Sequence, residues 1–113
     1  MTEIAEDSST EMIAFGLIAM AGDARSKAFE ALSLAKEGKF DEADEMMKQA
    51  DEAALAAHHA QTELLTKEAN GNHTEVNVML VHAQDHLMTA ILAQELIAEL
   101  IDVHKALANT STR

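Results

Sequence analysis

The sequence contains no cysteine, no proline, no tryptophan and no tyrosine. Without cysteine there is no disulfide, no thiolate chemistry and no Cys-type zinc site. Aromatic residues are limited to three Phe, so the core must be built from Ala, Leu, Ile and Met. Basic side chains are scarce: eight Lys and Arg stand against twenty Asp and Glu, a formal charge of −12. A surface that binds phosphate backbones needs clustered Lys and Arg, so nucleic acid and anionic membrane surfaces are set aside. A basic protein partner remains compatible with that field. No run approaches eighteen apolar residues without a polar interruption, so no spanning helix or membrane insertion is expected. Met1-Thr2-Glu3-Ile4-Ala5-Glu6-Asp7 lacks the basic and apolar regions of a signal peptide. The expectation is a soluble cytoplasmic protein.

What is present favours helix throughout: Ala, Leu, Met, Glu and Lys dominate, with only four glycines. At 113 residues the chain is one domain with little core to spare. Residues 1–8 read as a flexible tail, 9–108 as the helical domain and 109–113 as a frayed end. Ser8-Ser9-Thr10-Glu11 offers a capping box for the first helix. Apolar residues then recur with helical spacing at Ile13, Leu17, Met20/Ala21, Ala24, Ala28, Ala31/Leu32 and Ala35. Gly16 and Gly22 each weaken that helix by roughly 1 kcal/mol relative to Ala, which reads as close packing against a neighbour. Gly38 suits the left-handed closing position, and Asp41 is expected to cap the second helix. The second stripe, Ala43, Met46/Met47, Ala50, Ala53/Ala54, Ala57 and Leu64, is weaker and richer in alanine. Asn70-Gly71-Asn72 supplies turn chemistry.

Thr74 is expected to cap a third helix over residues 75–108. Its apolar residues spread well beyond one stripe, so it must be covered on most sides. Two shorter stripes do not suffice for that cover, which makes the third helix the core of an oligomer. Short connections predict an all-α, antiparallel up-down-up three-helix bundle.

Inside this most apolar segment lies a knot of polar groups, Leu80-Val81-His82-Ala83-Gln84-Asp85-His86-Leu87-Met88-Thr89. At 100° per residue, His82, Asp85, His86 and Thr89 share a narrow sector. Three readings compete. Two His at i and i+4 can share a zinc ion, but Ala83 stands where a metalloprotease needs Glu, so only a plain metal-binding pair survives. The side chains can instead be structural, each satisfied by hydrogen bonds; convergence of four polar groups weakens that reading. Finally, His82 can be a nucleophile: a neutral imidazole takes a phosphoryl group on a ring nitrogen and gives it up again. No phosphate-cradling glycine loop or Walker lysine is present, so the donor would be another protein rather than bound nucleotide. His58, His59, His73 and His104 read as structural or solvated.

Asp85 is the sharper problem. On a helix face buried in a symmetric assembly it would meet its own copies, and carboxylates brought together need a proton or a cation. An oxygen-only cluster suits a hard ion such as Mg²⁺.

The knot, with Leu92-Ala93, Glu95-Leu96-Ile97 and Glu99-Leu100-Ile101 behind it, closely resembles the lactose/cellobiose-type enzyme IIA of the bacterial phosphoenolpyruvate-dependent sugar phosphotransferase system. The likeness extends over Gly16-Leu17-Ile18, Gly22, Ala24-Arg25-Ser26, Gly38, Met46-Met47, Ala57-His58 and Gln61-Thr62, covering roughly residues 11 to 108. The resemblance implies a cytoplasmic homotrimer of three-helix bundles, nine helices in all. It implies that His82 is phosphorylated through Nε2, receiving the group from the phosphocarrier protein HPr and passing it to a cysteine of enzyme IIB. The sugar, a β-linked disaccharide of the lactose, cellobiose or N,N′-diacetylchitobiose type, would be phosphorylated on entry through enzyme IIC. Asp85 matches the family's buried trimer-interface aspartate, which gathers around one Mg²⁺ per trimer. Gln84 and His86 match by position and are assigned supporting roles. The alternative to a carrier is a non-catalytic helical oligomer or metal-binding module.

Overall fold

In the computed structural model, which describes the backbone of residues 2–111 and the side chains of 10–110, three long helices follow one another. They are α1 (Thr2–Lys36), α2 (Phe40–Ala69) and α3 (Val78–Ser111). They pack into a rod of 68 × 21 × 20 Å. The connections at 37–39 and 70–77 are too short for anything but antiparallel neighbours. Among the described residues no helix is long and apolar enough to cross a membrane.

Among the described side chains of α1 the buried ones are Ala14, Leu17, Ala21, Ala24, Ala28, Ala31 and Ala35, an alternation of three and four residues. In α3, Leu80, Ala83, Leu87, Ala90, Ile97 and Ile101 follow the same rhythm. Ala43, Ala50, Ala57 and Leu64 mark α2 every seven residues. A 3.5-residue repeat keeps each seam facing its partner along the whole rod. Leu17 and Leu87 are the largest fully buried side chains. They lie in one cluster with Ala14, Ala21, Ala83 and Ala90. Leu87 is wholly enclosed in that cluster, so truncating it leaves a void. Leu87→Ala is expected to cost roughly 2–5 kcal/mol, measurable as a lower urea midpoint at unchanged slope.

The helix ends differ from expectation in instructive ways. The first helix begins at Thr2, so Ser8-Ser9-Thr10-Glu11 lies inside it rather than at its start. Met1, Thr112 and Arg113 lie outside the described residues, whereas Asn109–Ser111, expected as frayed, continue α3. Gly38 takes φ 81°. There the Lys39 amide donates to the Leu34 carbonyl at 2.9 Å and the Gly38 amide to Ala35 at 3.0 Å, the paired bonds of a Schellman close. Gly71, with φ 87°, repeats the arrangement on Lys67 and Glu68.

Asp41 does not cap α2. Lys39 occupies the cap position without a side-chain bond, and Asp41 and Glu42 lie in the first turn, where the dipole favours acids. Thr74 likewise yields to Asn77, whose Oδ1 accepts from the Leu80 amide at 2.8 Å. Asparagine outranks threonine as a cap, and Glu75 and Val76 stay outside the helix. Asn77→Ala is expected to cost about 1 kcal/mol and to speed amide exchange in the first turn of α3.

Candidate functional site

The third helix presents two opposite faces. Its inner face is the seam of Leu80, Ala83, Leu87 and Ala90. Its outer face carries Val78 at 86% exposure, Val81 and Leu92 and Leu96 at 56%, Met88 at 55%, Leu100, Val103 and Leu107. Most of these apolar side chains follow one another at intervals of three and four, so they form a stripe and not a scatter. Scattered exposed leucines need no explanation, but a stripe along a whole helix marks a surface that another element covers.

Asp85 lies in that stripe, exposed, between Val81 and Met88. His82 is also exposed and sits about 60° around the helix from it. His86 is half-buried. Its ring stacks on that of His82, with centroids 6.0 Å apart and planes 4° from parallel. The side of α3 that carries these rings faces α1: the nearest heavy atom to a Cβ built on Gly22 is Nε2 of His86, 3.5 Å away. Thr89 is turned to its own helix, its hydroxyl donating to the Asp85 carbonyl at 2.9 Å. Of the four polar residues of the knot, Asp85 and Thr89 are therefore exposed on the outer face, His82 lies at its edge and His86 turns toward α1.

Gln84 points the other way. Its Oε1 accepts from Nε2 of Gln61 on α2, and the same Gln61 nitrogen lies 3.8 Å from the Met88 sulfur. Within one chain Gln84 thus flanks the stripe on the α2 side, while His82 and His86 flank it on the α1 side. A groove of about 430 Å³, lined by Leu55, His58, Gln61, Met88 and Ile91, also opens on the α2 side. Gln61, which the sequence shows only as part of the family likeness, is a buried member of the seam at 8% exposure. The signal was available: four residues after Ala57 and three before Leu64, it occupies a seam position, where a polar side chain has to find a partner.

Among the described residues no group of three or more His, Cys, Asp or Glu within the chain is placed to hold a metal ion. Away from the site, Asp44 accepts a hydrogen bond from Lys105 at 2.8 Å and holds that ammonium above its ordinary pKa. The pair is exposed and contributes little to stability.

Comparison with known proteins places these features in context. Residues 12–105 match the family model described as "PTS system, Lactose/Cellobiose specific IIA subunit". The chain is 49% identical over 94 residues to the lactose-specific EIIA component of Streptococcus mutans, covering 83% of this chain and 90% of that one. It is 47% identical over 102 residues to the N,N′-diacetylchitobiose-specific EIIA component of Escherichia coli, covering 90% and 88%. Among solved structures, the cellobiose-specific enzyme IIA of Bacillus anthracis superposes with a TM-score of 0.86 at 56% identity, over 88% of this chain and 92% of that one. The Escherichia coli IIA(chitobiose) structure, solved in complex with HPr, gives a TM-score of 0.77 at 46% identity, over 88% and 96%. A coextensive match at this identity, on the same three helices, shows that the chain belongs to the lactose/cellobiose-specific IIA family of the sugar phosphotransferase system.

Proposed function

We propose that this chain carries a phosphoryl group on His82 during uptake of a β-linked disaccharide of the lactose, cellobiose or diacetylchitobiose type. Phospho-HPr is the donor, a cysteine of enzyme IIB is the acceptor, and the exchange takes place in the cytoplasm. The observation that carries the reading is the position of His82: exposed, and at the edge rather than the centre of the apolar stripe of α3. The complex of the Escherichia coli relative with HPr supports the choice of donor.

The chemistry asks little of the protein beyond placement. The lone pair of a neutral ring nitrogen, Nε2, forms the bond to phosphorus as the bond from phosphorus to the donor breaks. The electron pair of that bond leaves with the donor, and the other ring nitrogen keeps its proton. His86, stacked beside His82, limits the motion of the accepting ring. Gln84 supports the site from the opposite flank through its bond to Gln61.

The same reading assigns the stripe to a homotrimer in which three copies of α3 pack side by side, giving nine helices. Val78, Leu92, Leu96 and Val103 then lose their exposure, and Asp85 is drawn toward the threefold axis with its two copies. One carboxylate makes no metal site alone, and among the described residues no group of three or more His, Cys, Asp or Glu gathers within one chain. Three together form a hard-oxygen cluster that fits Mg²⁺. The ion would supply charge compensation to the carboxylates and takes no part in the transfer. His82, about 60° off that axis, keeps its ring at the cleft between copies.

Incubation with phosphoenolpyruvate, enzyme I and HPr tests the reading by intact mass. An acid-labile gain of one phosphoryl group per chain is expected. A chain that stays unlabelled beside a labelled relative would overturn it.

A further inference from the structure

Asn70-Gly71 is the single Asn-Gly pair in the chain, and both residues are exposed at the end of α2. An asparagine loses its amide when the next residue's backbone nitrogen attacks the side-chain carbonyl. Glycine leaves that attack open because it has no side chain to obstruct it. The other asparagines precede His73, Val78 and Thr110, whose side chains crowd the attacking nitrogen.

The fold opposes this chemistry at Asn70. A five-membered ring closes only when the Gly71 nitrogen eclipses Cβ of Asn70. At the ψ of 7° that Asn70 takes, it eclipses the Asn70 nitrogen instead. The attacking nitrogen must also give up its proton, and here its N–H donates to the Glu68 carbonyl at 3.1 Å. The Asn72 amide, bonded to the Lys67 carbonyl at 2.9 Å, closes the turn behind it. Reaction therefore waits until the last turn of α2 opens, and helix ends open at low free energy.

We propose that Asn70 is a deamidation site whose rate is set by opening of the C-terminal turn of α2. In the open turn, solvent base takes the Gly71 amide proton and the nitrogen bonds to Cγ of Asn70. The bond from Cγ to the side-chain nitrogen breaks, and that nitrogen takes up a proton and leaves as ammonia. Water then adds to one of the two carbonyls of the cyclic imide. Opening at Cγ gives aspartate; opening at the backbone carbonyl gives isoaspartate, with the chain rerouted through the former side chain. Either product places a new carboxylate at the negative end of the α2 dipole, which disfavours closing the turn again.

The test ages the full chain at slightly alkaline pH, folded and in urea. Intact mass follows the loss of an amide, and peptide mapping separates aspartate from isoaspartate. Conversion is expected first at Asn70, roughly tenfold more slowly in the folded chain than in urea. Asn72→Pro removes the amide bound to Lys67. It should bring the folded rate close to the urea rate while leaving the urea rate unchanged. Asn70→Gln should keep its amide over the same period, because the ring it would have to close is larger. Equal rates in the folded and unfolded parent would remove the gate, and faster conversion at Asn72, Asn77 or Asn109 would remove the site. Either result overturns the proposal, and so does a folded Asn72→Pro chain that converts no faster than the parent.

Discussion

His82→Gln is expected to reduce phosphoryl acceptance to background while leaving the helical content and the melting temperature of the parent. Glutamine has the reach and polarity to occupy the exposed position, but its amide offers no basic nitrogen to attack phosphorus. The fold has no stake in the ring: His82 is exposed, and the seam beneath it is Leu80, Ala83 and Leu87. Intact mass after incubation with phosphoenolpyruvate, enzyme I and HPr measures the first quantity and circular dichroism the second. The two readouts separate a lost nucleophile from a lost structure. A collapse of helicity would assign His82 to packing, and retained labelling would move the accepting atom elsewhere in the chain.

Asp85→Leu carries the opposite sign. A carboxylate drawn among copies of itself costs free energy that only a cation or a proton offsets, and an apolar side chain of similar size removes the cost. The variant should hold its assembly without metal, and the association should tighten by about 1–4 kcal/mol. Light scattering across a dilution series measures the association, and metal analysis of the purified protein measures the ion. Dissociation of the variant into single chains would show that the carboxylates, through their ion, hold the copies together.

Much of this was legible in the residues before any coordinates. The stripes of α1 and α3 are written in the spacing of alanine and leucine, and Gly38 and Gly71 close their helices as glycine at those positions should. The starts of helices were harder. Asp41 and Thr74 have cap chemistry, but caps compete locally, and the decision fell to backbone geometry at Lys39 and to the better acceptor of Asn77. The site was legible as a group of residues and not as an arrangement. On a helical wheel His82, Asp85, His86 and Thr89 share a sector, yet only the packing of α1 and α2 shows what separates them. Gly22 lies against His86, Gln61 binds Gln84 on the other flank, and Asp85 is left on the stripe between. The burial of Gln61 and its bond to Gln84 were not legible, because the alanine stripe of α2 is weak enough to hide one polar member.

The alanine seams have one more consequence. Most core substitutions in ordinary proteins err by leaving a void, and neighbours relax to fill it. Along Ala21, Ala24, Ala28 and Ala31, or Ala43 and Ala50, the side chain is already the smallest that carries a Cβ. Almost every single replacement there swells the seam and forces two long rods apart over several turns at once. Tolerance in this fold is thus one-sided: its interior has almost nothing to lose in volume and no room to gain any, so variation is pushed outward to the faces that meet other proteins.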